Sequence, residues 1–405
     1  MPRDGVQTVT FMVLIGVGSR YETPRQNGLS HFLEHMFFKG TERRPDKKDI
    51  AVELDALGAD YNAFTSEEIT AYYVKVAMEN LEQGADVVSD ILVGSLFPAE
   101  EIERERGVII EEINMYTGNP MSHVAHLWNE VYFGNHPLGR RIDGEIETVS
   151  KFKQKDFLGY VKQHYHTENT VVAVAGNFDT KKVEQLLGRL FKDLPRGKET
   201  KPKKAPAKAP AKRFLHERRA SLDQTHLMAG SPGVSLSDED RWPLEVLATI
   251  LGGGMSSRMF LSVREEHGLA YTVRTRLESY ADTGMLVTQA GLRTDKADFG
   301  LKVMFDEFDR VINEDVPDEE LEKARQMLRG SLAMQLEETN AMAVYGGAQA
   351  LLEKKVQSPK EVWGSIKSVS TKDIRRVAKK YLDPKKRSVA LLSPHKSTKA
   401  FEKLL

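Results

Sequence analysis

The chain has 405 residues, more than one ordinary hydrophobic core accommodates, so two to three domains are expected. Hydrophobic residues at 40% and charged residues at 29% are typical of a soluble globular protein, and a net charge of −1 argues against general affinity for nucleic acid or anionic membranes. The count of 0 cysteines excludes disulfide bonds and restricts any metal site to histidine and carboxylate ligands.

The first long apolar run, residues 9–17, predicts a buried strand. It is too short to span a bilayer. Residues 18–22, which follow it, are charged and do not form the small-residue cleavage site of a signal peptide. A cytoplasmic location is therefore the default prediction, and the absence of cysteine agrees with a reducing compartment.

The segment His31-Phe32-Leu33-Glu34-His35 can assemble a hydrolytic metal site, and the apolar residues within and after it predict a buried helix. Each residue of an α-helix is rotated by ~100° about the helix axis from the one before it. His35 is therefore ~40° from His31 in one direction about the axis, and Glu34 is ~60° from His31 in the other. The two imidazoles could share one Zn²⁺, with the carboxylate beside the fourth coordination position. This is the inverted zinc motif H-x-x-E-H, whose glutamate is a general base and not a ligand. The alternative is a chance combination on a water-facing helix surface.

Three elements are predicted after this motif. Residues 62–65 alternate like an exposed edge strand, and residues 70–76 form a second strand-like run. Residues 98–115 predict a long helix, because proline stands at the start, acids fill the first turns and apolar residues recur at helical intervals.

The long helix offers two candidates for the third metal ligand, the adjacent Glu111 and Glu112. Glu112 shares a stripe with Glu105, Val108 and Ile109, which we expect to turn inward, whereas the stripe of Glu111 looks solvated. We choose Glu112 as the ligand, with Glu105 one heptad earlier as an acid that orients a ligand or relays a proton. The alternative is an amphipathic helix with an acidic exposed face.

A linker is predicted in the middle of the chain. Residues 201–213 consist of Lys, Arg, Pro and Ala, and such a tract cannot build a core. A nucleic-acid or anionic-surface patch is the alternative, but the tract lacks aromatic residues for stacking. We therefore predict a zinc-binding catalytic domain at residues 1–197, a linker at 198–213 and a related non-zinc domain at 214–405.

The two halves look duplicated. Residues 98–106 match residues 317–325 at an offset of 317 − 98 = 219, and Lys155 matches Lys372 at an offset of 217. Under the first offset Glu112 falls on Ser331, and the second half has no H-x-x-E-H, so only one domain carries the metal. The helices of each half come in consecutive groups, which favours α+β domains over a doubly wound sheet.

These patterns resemble the pitrilysin/insulinase family of zinc peptidases, in particular its half-length bacterial processing-protease branch, similar to the β subunit of mitochondrial processing peptidase. The matching motifs run in order along almost the whole chain, and Glu112 stands 112 − 35 = 77 positions after the last histidine of the zinc motif. The other matches are Gly18-Ser19-Arg20-Tyr21-Glu22, Phe38-Lys39-Gly40-Thr41, Asn62-Ala63-Phe64-Thr65-Ser66, His136-Pro137-Leu138-Gly139-Arg140, Gly252-Gly253-Gly254-Met255-Ser256-Ser257-Arg258 and Arg264-Glu265-Glu266-His267-Gly268-Leu269-Ala270-Tyr271. The family usually has a further strand before Met1, so we expect an incomplete edge in the first sheet.

The resemblance implies two structurally related α/β sandwich domains that form half of a clamshell chamber. It implies one Zn²⁺ per chain on His31, His35 and Glu112, with zinc-bound water as the nucleophile. Zinc lowers the pKa of such a water toward ~7. Glu34 would take the proton of that water and pass it to the leaving amine.

The resemblance also implies roles outside the zinc motif. Arg264 and Tyr271, 271 − 264 = 7 positions apart, come from the non-zinc half, Tyr toward the oxyanion and Arg toward the peptide backbone. Without the family resemblance, the sequence predicts only that Arg264 is a helix-surface residue and Tyr271 a strand residue. Asn62, Ala63 and Phe64 are implied to pair with the substrate backbone as an edge strand does.

The leading interpretation is a zinc metalloendopeptidase that cuts peptides or unfolded segments inside a closed dimeric chamber. A homodimer is the simplest assembly, with Arg264 and Tyr271 acting on the partner chain's zinc site. No nucleic-acid or membrane partner is expected. The alternatives are a non-catalytic peptide-binding or scaffold subunit of a hetero-oligomeric peptidase, and a purely structural zinc. The intact metal set argues against the first, and a free Glu34 beside only three ligands argues against the second.

Overall fold

A computed structural model of the chain describes residues 1–198, 200–206 and 210–405, which form two compact units. Unit 1 comprises residues 1–114, 141–203 and 334–357, and unit 2 comprises residues 115–140, 204–333 and 358–405. The predicted domains at 1–197 and 214–405 are contiguous, whereas each unit takes segments from both halves of the chain. The predicted linker at 198–213 includes residues 199 and 207–209, which lie outside the described residues.

The described residues contain nine strands and fifteen α-helices. The strands are β1 (Thr8–Ile15), β2 (Asp60–Thr65), β3 (Thr70–Ala77), β4 (Thr170–Gly176), β5 (Phe214–Arg218), β6 (Gln224–Pro232), β7 (Ala270–Ser279), β8 (Gly284–Arg293) and β9 (Ser388–Ser393). The helices are α1 (Leu29–Met36), α2 (Lys47–Ala56), α3 (Leu81–Val93), α4 (Ala99–Gly118), α5 (Pro120–Phe133), α6 (Ile146–Val149), α7 (Gln154–His164), α8 (Thr180–Leu190), α9 (Arg241–Gly252), α10 (Ala297–Asn313), α11 (Asp318–Gln335), α12 (Thr339–Ala348), α13 (Pro359–Ser368), α14 (Thr371–Tyr381) and α15 (Lys399–Glu402). Two π-helical segments, Phe260–Glu266 and Gln349–Glu353, interrupt this pattern.

Unit 1 is built on an antiparallel sheet with the strand order β2-β3-β1-β4. Helices cover both faces, and this explains why β1 is apolar at almost every position. Phe11 and Val13 pack on one face in the core that includes α1 and α3, whereas Met12 and Leu14 pack on the other face against α12. Strand β2 lies at one end of the sheet, as predicted for residues 62–65.

Unit 2 repeats the arrangement in a sheet with the order β5-β9-β6-β8-β7. Its strands β7, β8, β6 and β9 follow the same order as β2, β3, β1 and β4. The additional strand β5 pairs with β9 in parallel. In unit 1 the corresponding position beside β4 holds an isolated parallel bridge between Pro2 and Gly176. The two related sheets with grouped helices confirm the predicted α+β fold.

Two helices pack on the sheet that is formed by the other half of the chain. Helix α5 packs on the second sheet through Trp128 and Val131, which contact the core of β6, β8 and β9. Helix α12 packs on the first sheet, where Ala343 meets residues of β1 and β4. These helices account for the difference between the compact units and contiguous domains.

Among the described residues, no helix combines the length and the apolar character needed to cross a membrane.

Candidate metal centre

Helix α1, which carries the H-x-x-E-H motif, is fixed at its N-terminus by a residue upstream of it. Gly28 precedes the helix with a φ of 93°, a conformation that favours glycine. The buried Glu22 carboxylate accepts hydrogen bonds from the N–H of Ser30 at 2.7 Å and of Gly28 at 2.9 Å. These donors have no partner within the helix, and their hydrogen bonds oppose the burial that raises the pKa of Glu22 to about 7. Glu22 therefore anchors the start of the motif.

Three side chains come together between α1 and α4. The ring centroids of His31 and His35 are 4.9 Å apart, and Glu112 Oε2 lies 3.6 Å from Nε2 of each histidine. One ligand atom of each residue lies within 4.8 Å of the others. In the described part of the chain this is the only group of three or more His, Asp or Glu side chains with such spacing. The structure thus brings together the three residues predicted as ligands.

The electrostatics of His31 suit a metal ligand. Burial lowers the pKa of His31 to about 4, with the neighbouring His35 acting in the same direction and Asp143 in the opposite one. The imidazole is therefore neutral at pH 7, which is the form that binds a metal. Its Nδ1 atom is buried without a hydrogen-bond partner among the described residues, while Nε2 faces Glu112.

Glu105 connects His35 to a lysine one helical turn further on. Its Oε1 lies 2.9 Å from His35 Nδ1, and its Oε2 lies 2.6 Å from Lys39 Nζ. The hydrogen bond at Nδ1 orients the ring and leaves Nε2 directed at Glu112. Burial acts to raise the pKa of Glu105, but the hydrogen bonds from His35 and Lys39 hold it below its ordinary value. Glu105 therefore stays ionised and can hold the tautomer that His35 needs.

Glu34 is next to these ligands but is not one of the three. Burial raises its pKa, the Glu112 carboxylate adds to this effect, and the Thr65 hydroxyl and His35 oppose it. Its Oε2 atom is buried and has no hydrogen-bond partner in the described ranges. A carboxylate with a raised pKa and a free oxygen is suited to accept and return a proton.

The donor set fits zinc. Two imidazoles and one carboxylate are ligand types that catalytic Zn²⁺ takes from a protein, and a fourth position stays open for a small molecule. The buried, unpartnered Glu34 Oε2 agrees with a group that functions only when such a molecule is present.

Helix α4 presents Glu112 inward and Glu111 outward, as the stripe analysis predicted for these two residues. Glu105 is 8% exposed and Ile109 is fully buried, in agreement with the expected inward face. Val108 is 52% exposed, so its assignment to that face is wrong. Val108 is four positions before Glu112, so it is rotated ~40° from Glu112 about the helix axis and lies at the edge of the inward face.

We expect Glu112→Gln to weaken zinc binding by more than the roughly 10- to 100-fold typical of residues that only orient a ligand. The neutral amide is a poor metal ligand, and both histidines would lose their shared partner. Competition with a chromophoric chelator measures the affinity. Glu111→Gln, an exposed neighbour, is the matched control and should bind zinc as the wild type does. Loss of metal from the control instead would place the ligand at Glu111.

The predicted substrate strand lies beside the metal cluster. Tyr61 and Ala63 pack toward the core that contains α1, and the Thr65 hydroxyl lies close enough to Glu34 to act on its pKa. Phe64 packs on the opposite face of the sheet, and Asn62 accepts a hydrogen bond from the Ala63 N–H through its own Oδ1. The outer edge of β2 pairs with no strand in the described part of the chain. Apart from the Ala63 N–H, which the Asn62 side chain occupies, this edge is available to a peptide.

Arg264 and Tyr271 are in unit 2, where two local irregularities present them. Arg264 is on a π-helical segment, and Tyr271 is the extra residue of a β-bulge between Ala270 and Thr272. Arg264 Nη1 donates to the Tyr271 carbonyl oxygen at 2.9 Å, and its guanidinium lies 5.0 Å from the Tyr271 ring. Tyr271 is 74% exposed. π-Bulges and β-bulges are frequent where a side chain is directed at a functional site.

Sequence reasoning gave no role to Glu22, Lys39 or Thr65, which support the cluster in the structure. All three lie inside the motifs that carry the family resemblance. The spacing from His35 to Lys39 is one helical turn, which could have suggested a shared partner. The contacts of Glu22 and Thr65 follow only from tertiary structure.

Comparison with known families gives two adjacent matches. A family model described as Insulinase (Peptidase family M16) matches residues 2–145, and one described as Peptidase M16 inactive domain matches residues 151–328. An uncharacterized zinc protease from Streptomyces coelicolor is 36% identical over 400 residues, which cover 98% of this chain and 87% of the relative. The uncharacterized zinc protease YmxG of Bacillus subtilis is 35% identical, with coverage of 96% and 94%.

Solved structures share the fold at lower sequence identity. A protease from Helicobacter pylori has a TM-score of 0.89 at 22% identity and covers 97% of this chain, which covers 96% of it in turn. A chain of complex III2 from Candida albicans has a TM-score of 0.85 at 17% identity, with coverage of 100% and 96%. These likenesses extend over the whole fold, including both sheets.

Proposed function

This chain belongs to the insulinase family of peptidases, peptidase family M16, and from this membership we propose that it is a zinc metalloendopeptidase that hydrolyses peptides or unfolded segments. Two relatives that match nearly the whole chain are named zinc protease, and these names support the reaction class. Neither name specifies a substrate.

One observation carries the proposal. Glu34 is a half-buried carboxyl group with a raised pKa and one buried oxygen that has no hydrogen-bond partner, and it stands beside the three residues proposed as zinc ligands. A structural zinc site would use its fourth acidic neighbour as a ligand or do without it. A hydrolytic site needs a base that stays unligated, and Glu34 fits this requirement.

The residues of the site have different roles in the proposed reaction. His31, His35 and Glu112 would hold Zn²⁺, which supplies Lewis-acid chemistry that makes water more acidic and polarises a carbonyl group. Glu34 takes the proton of the attacking water and delivers it to the leaving amine. Glu105, held by Lys39, keeps His35 in the orientation and tautomer that ligation requires.

Substrate binding involves an edge strand and a second set of donors. A peptide pairs with the outer edge of β2 at Asn62, Ala63 and Phe64, a mode that accepts many sequences because backbone groups make the hydrogen bonds. Tyr271 donates to the developing oxyanion and Arg264 binds the peptide backbone, which the metal cluster alone does not do. The exposed Tyr271 hydroxyl is free to approach a substrate.

The assembly proposed for this activity is a homodimer with one zinc per chain and two equivalent sites. A closed chamber formed by two chains would admit peptides and unfolded segments and exclude folded proteins. The cytoplasmic location and the division into a catalytic domain at 1–197 and a partner domain at 214–405 remain part of this proposal.

The second candidate is a non-catalytic peptide-binding or scaffold subunit. The likeness to a chain of complex III2 shows that the fold also occurs in that assembly. The presence of Glu34 together with all three ligands favours the peptidase, because a scaffold has no use for a carboxyl group with a buried oxygen that lacks a hydrogen-bond partner.

Hydrolysis of a quenched peptide library separates the two candidates. We expect the zinc-loaded protein to cleave peptides, a chelator to stop cleavage, and added Zn²⁺ to restore it, since the three ligands are the proposed source of activity. His31→Ala, which removes a ligand, should stay inactive after zinc is added back. Cleavage that survives both the chelator and His31→Ala would refute a zinc mechanism. Zinc-loaded protein that cleaves no peptide would favour the scaffold subunit.

A further inference from the structure

A small cavity lies beside the metal cluster in unit 1. It has a volume of about 280 Å³, and its apolar part is formed by Phe38, Ile50, Ala51 and Tyr61. Phe38 and Tyr61 face each other with ring centroids 6.4 Å apart. The rest of its lining is cationic and consists of Lys39, Lys47 and Lys48. We call this cavity the lysine pocket.

The position of the lysine pocket relates it to the candidate active site. Lys39 lines the pocket and also contacts Glu105, which holds His35. Tyr61 lines it from β2, the same edge strand whose Thr65 hydroxyl lies close enough to Glu34 to act on its pKa. At ~3.3 Å per residue, Tyr61 lies ~13 Å along the strand from Thr65. A peptide paired with β2 would thus place a side chain in the pocket a few residues from the bond that reacts.

The charge of the lysine pocket is one-sided, since its lining includes no acidic residue. Two of its lysines have partners outside it: Lys39 Nζ is 2.6 Å from Glu105, and Lys47 Nζ is 2.8 Å from Glu101. The Lys48 ammonium has no ion-pair partner in the ranges that the structure describes. It is therefore the cation available to a ligand.

The two lysines of helix α2 stand where a helix does not favour them. Lys47 and Lys48 are in the first turn, next to the positive end of the helix dipole. The acids of the same turn are occupied by the helix cap, because Asp46 accepts from the Lys48 N–H and Asp49 accepts from the Asp46 N–H.

A neighbouring cavity of about 520 Å³ shares the same three lysines but differs in charge. Its lining also includes Arg104 and the carboxylates of Asp46, Glu100 and Glu101, which offset most of its positive charge. An anionic group is therefore favoured in the lysine pocket over the larger cavity.

We propose that the lysine pocket is a substrate subsite that selects an acidic side chain, preferentially glutamate, of the bound peptide. The apolar part accommodates the methylene groups of glutamate, and Lys48 pairs with its carboxylate. Aspartate lacks one methylene group and reaches less far. This inference rests on the proposed peptidase function, to which it adds a substrate class.

Binding tests the subsite separately from hydrolysis. Glu34→Gln protein loaded with zinc is mixed with fluorescent peptides of one scaffold that carry Glu, Gln or Lys at each position in turn. At one position we expect Glu to bind about fivefold more tightly than Gln, which corresponds to an ion pair at a partly exposed site. Lys should bind more weakly than Gln there, and the preference should shrink as salt is added. Failure of wild-type hydrolysis would count against the proposed function without altering this binding result.

The variants locate the preference. Lys48→Glu should reverse it by roughly tenfold, because attraction to Glu becomes repulsion, and Lys48→Arg should retain it. Lys181→Glu, at an exposed position of α8, is the matched control and should leave it unchanged. Equal binding of the Glu, Gln and Lys peptides at every position, or a preference that survives Lys48→Glu, would overturn the proposal.

Discussion

Replacing Glu34 by Gln should leave zinc in place and lower peptide hydrolysis by about 10³-fold or more, in the upper part of the range for a lost general base. The three ligands are untouched, since the metal set is His31, His35 and Glu112. The amide has nearly the shape of the carboxylate but cannot accept the proton of the attacking water. Metal content by mass spectrometry and kcat/KM on the same preparation provide the measurement.

The control for this variant is Glu111→Gln, which makes the same chemical change on the exposed side of α4. It should retain both zinc and activity. If Glu34→Gln loses most of its zinc, Glu34 is a fourth ligand and the site is structural. If it keeps both zinc and full activity, the base is another group.

Local pattern predicted the residues of the cluster because the information lies within single helices. The spacing of His31, Glu34 and His35 is helical, and the apolar residues around them fix which side of α1 turns inward. The comparison of Glu111 with Glu112 used the same argument on α4 and placed Glu112 on the correct side. Val108 shows the limit of this reasoning, because an apolar residue at the edge of a stripe can face water.

Contacts between distant segments could not be predicted in this way. Helices α5 and α12 each have an apolar face, but nothing in a local pattern says which of two similar sheets will cover it. The Lys39–Glu105 pair depends on how closely α1 and α4 pack. The bulge at Tyr271 and the π-helical turn at Arg264 leave no signature in hydrophobic periodicity. Their residues were found by resemblance alone.

The two units carry different residues of the proposed active site. Unit 1 holds the metal cluster and Glu34, whereas unit 2 holds Tyr271, which is implied to stabilise the oxyanion. Under the duplication offset, unit 2 has Ser331 where unit 1 has Glu112, so it cannot supply a zinc site of its own kind. Under the proposed mechanism each active site needs one unit 1 and one unit 2, and the proposed homodimer takes them from different chains.

Mixing two inactive variants distinguishes chains that share a site from chains that do not. Glu34→Gln lacks the base, and Tyr271→Phe should lose about 10²- to 10³-fold in kcat for want of an oxyanion donor. A mixed dimer contains one site with both groups intact, so random exchange of subunits should restore about a quarter of wild-type activity: half of the dimers, with one of two sites each. Size-exclusion of differently tagged chains confirms that exchange has occurred, and a mixture of two Glu34→Gln preparations is the blank. Confirmed exchange without recovery would mean that Glu34 and Tyr271 of the same chain act together, and the dimeric chamber would have to be abandoned in favour of a site that one chain completes by itself.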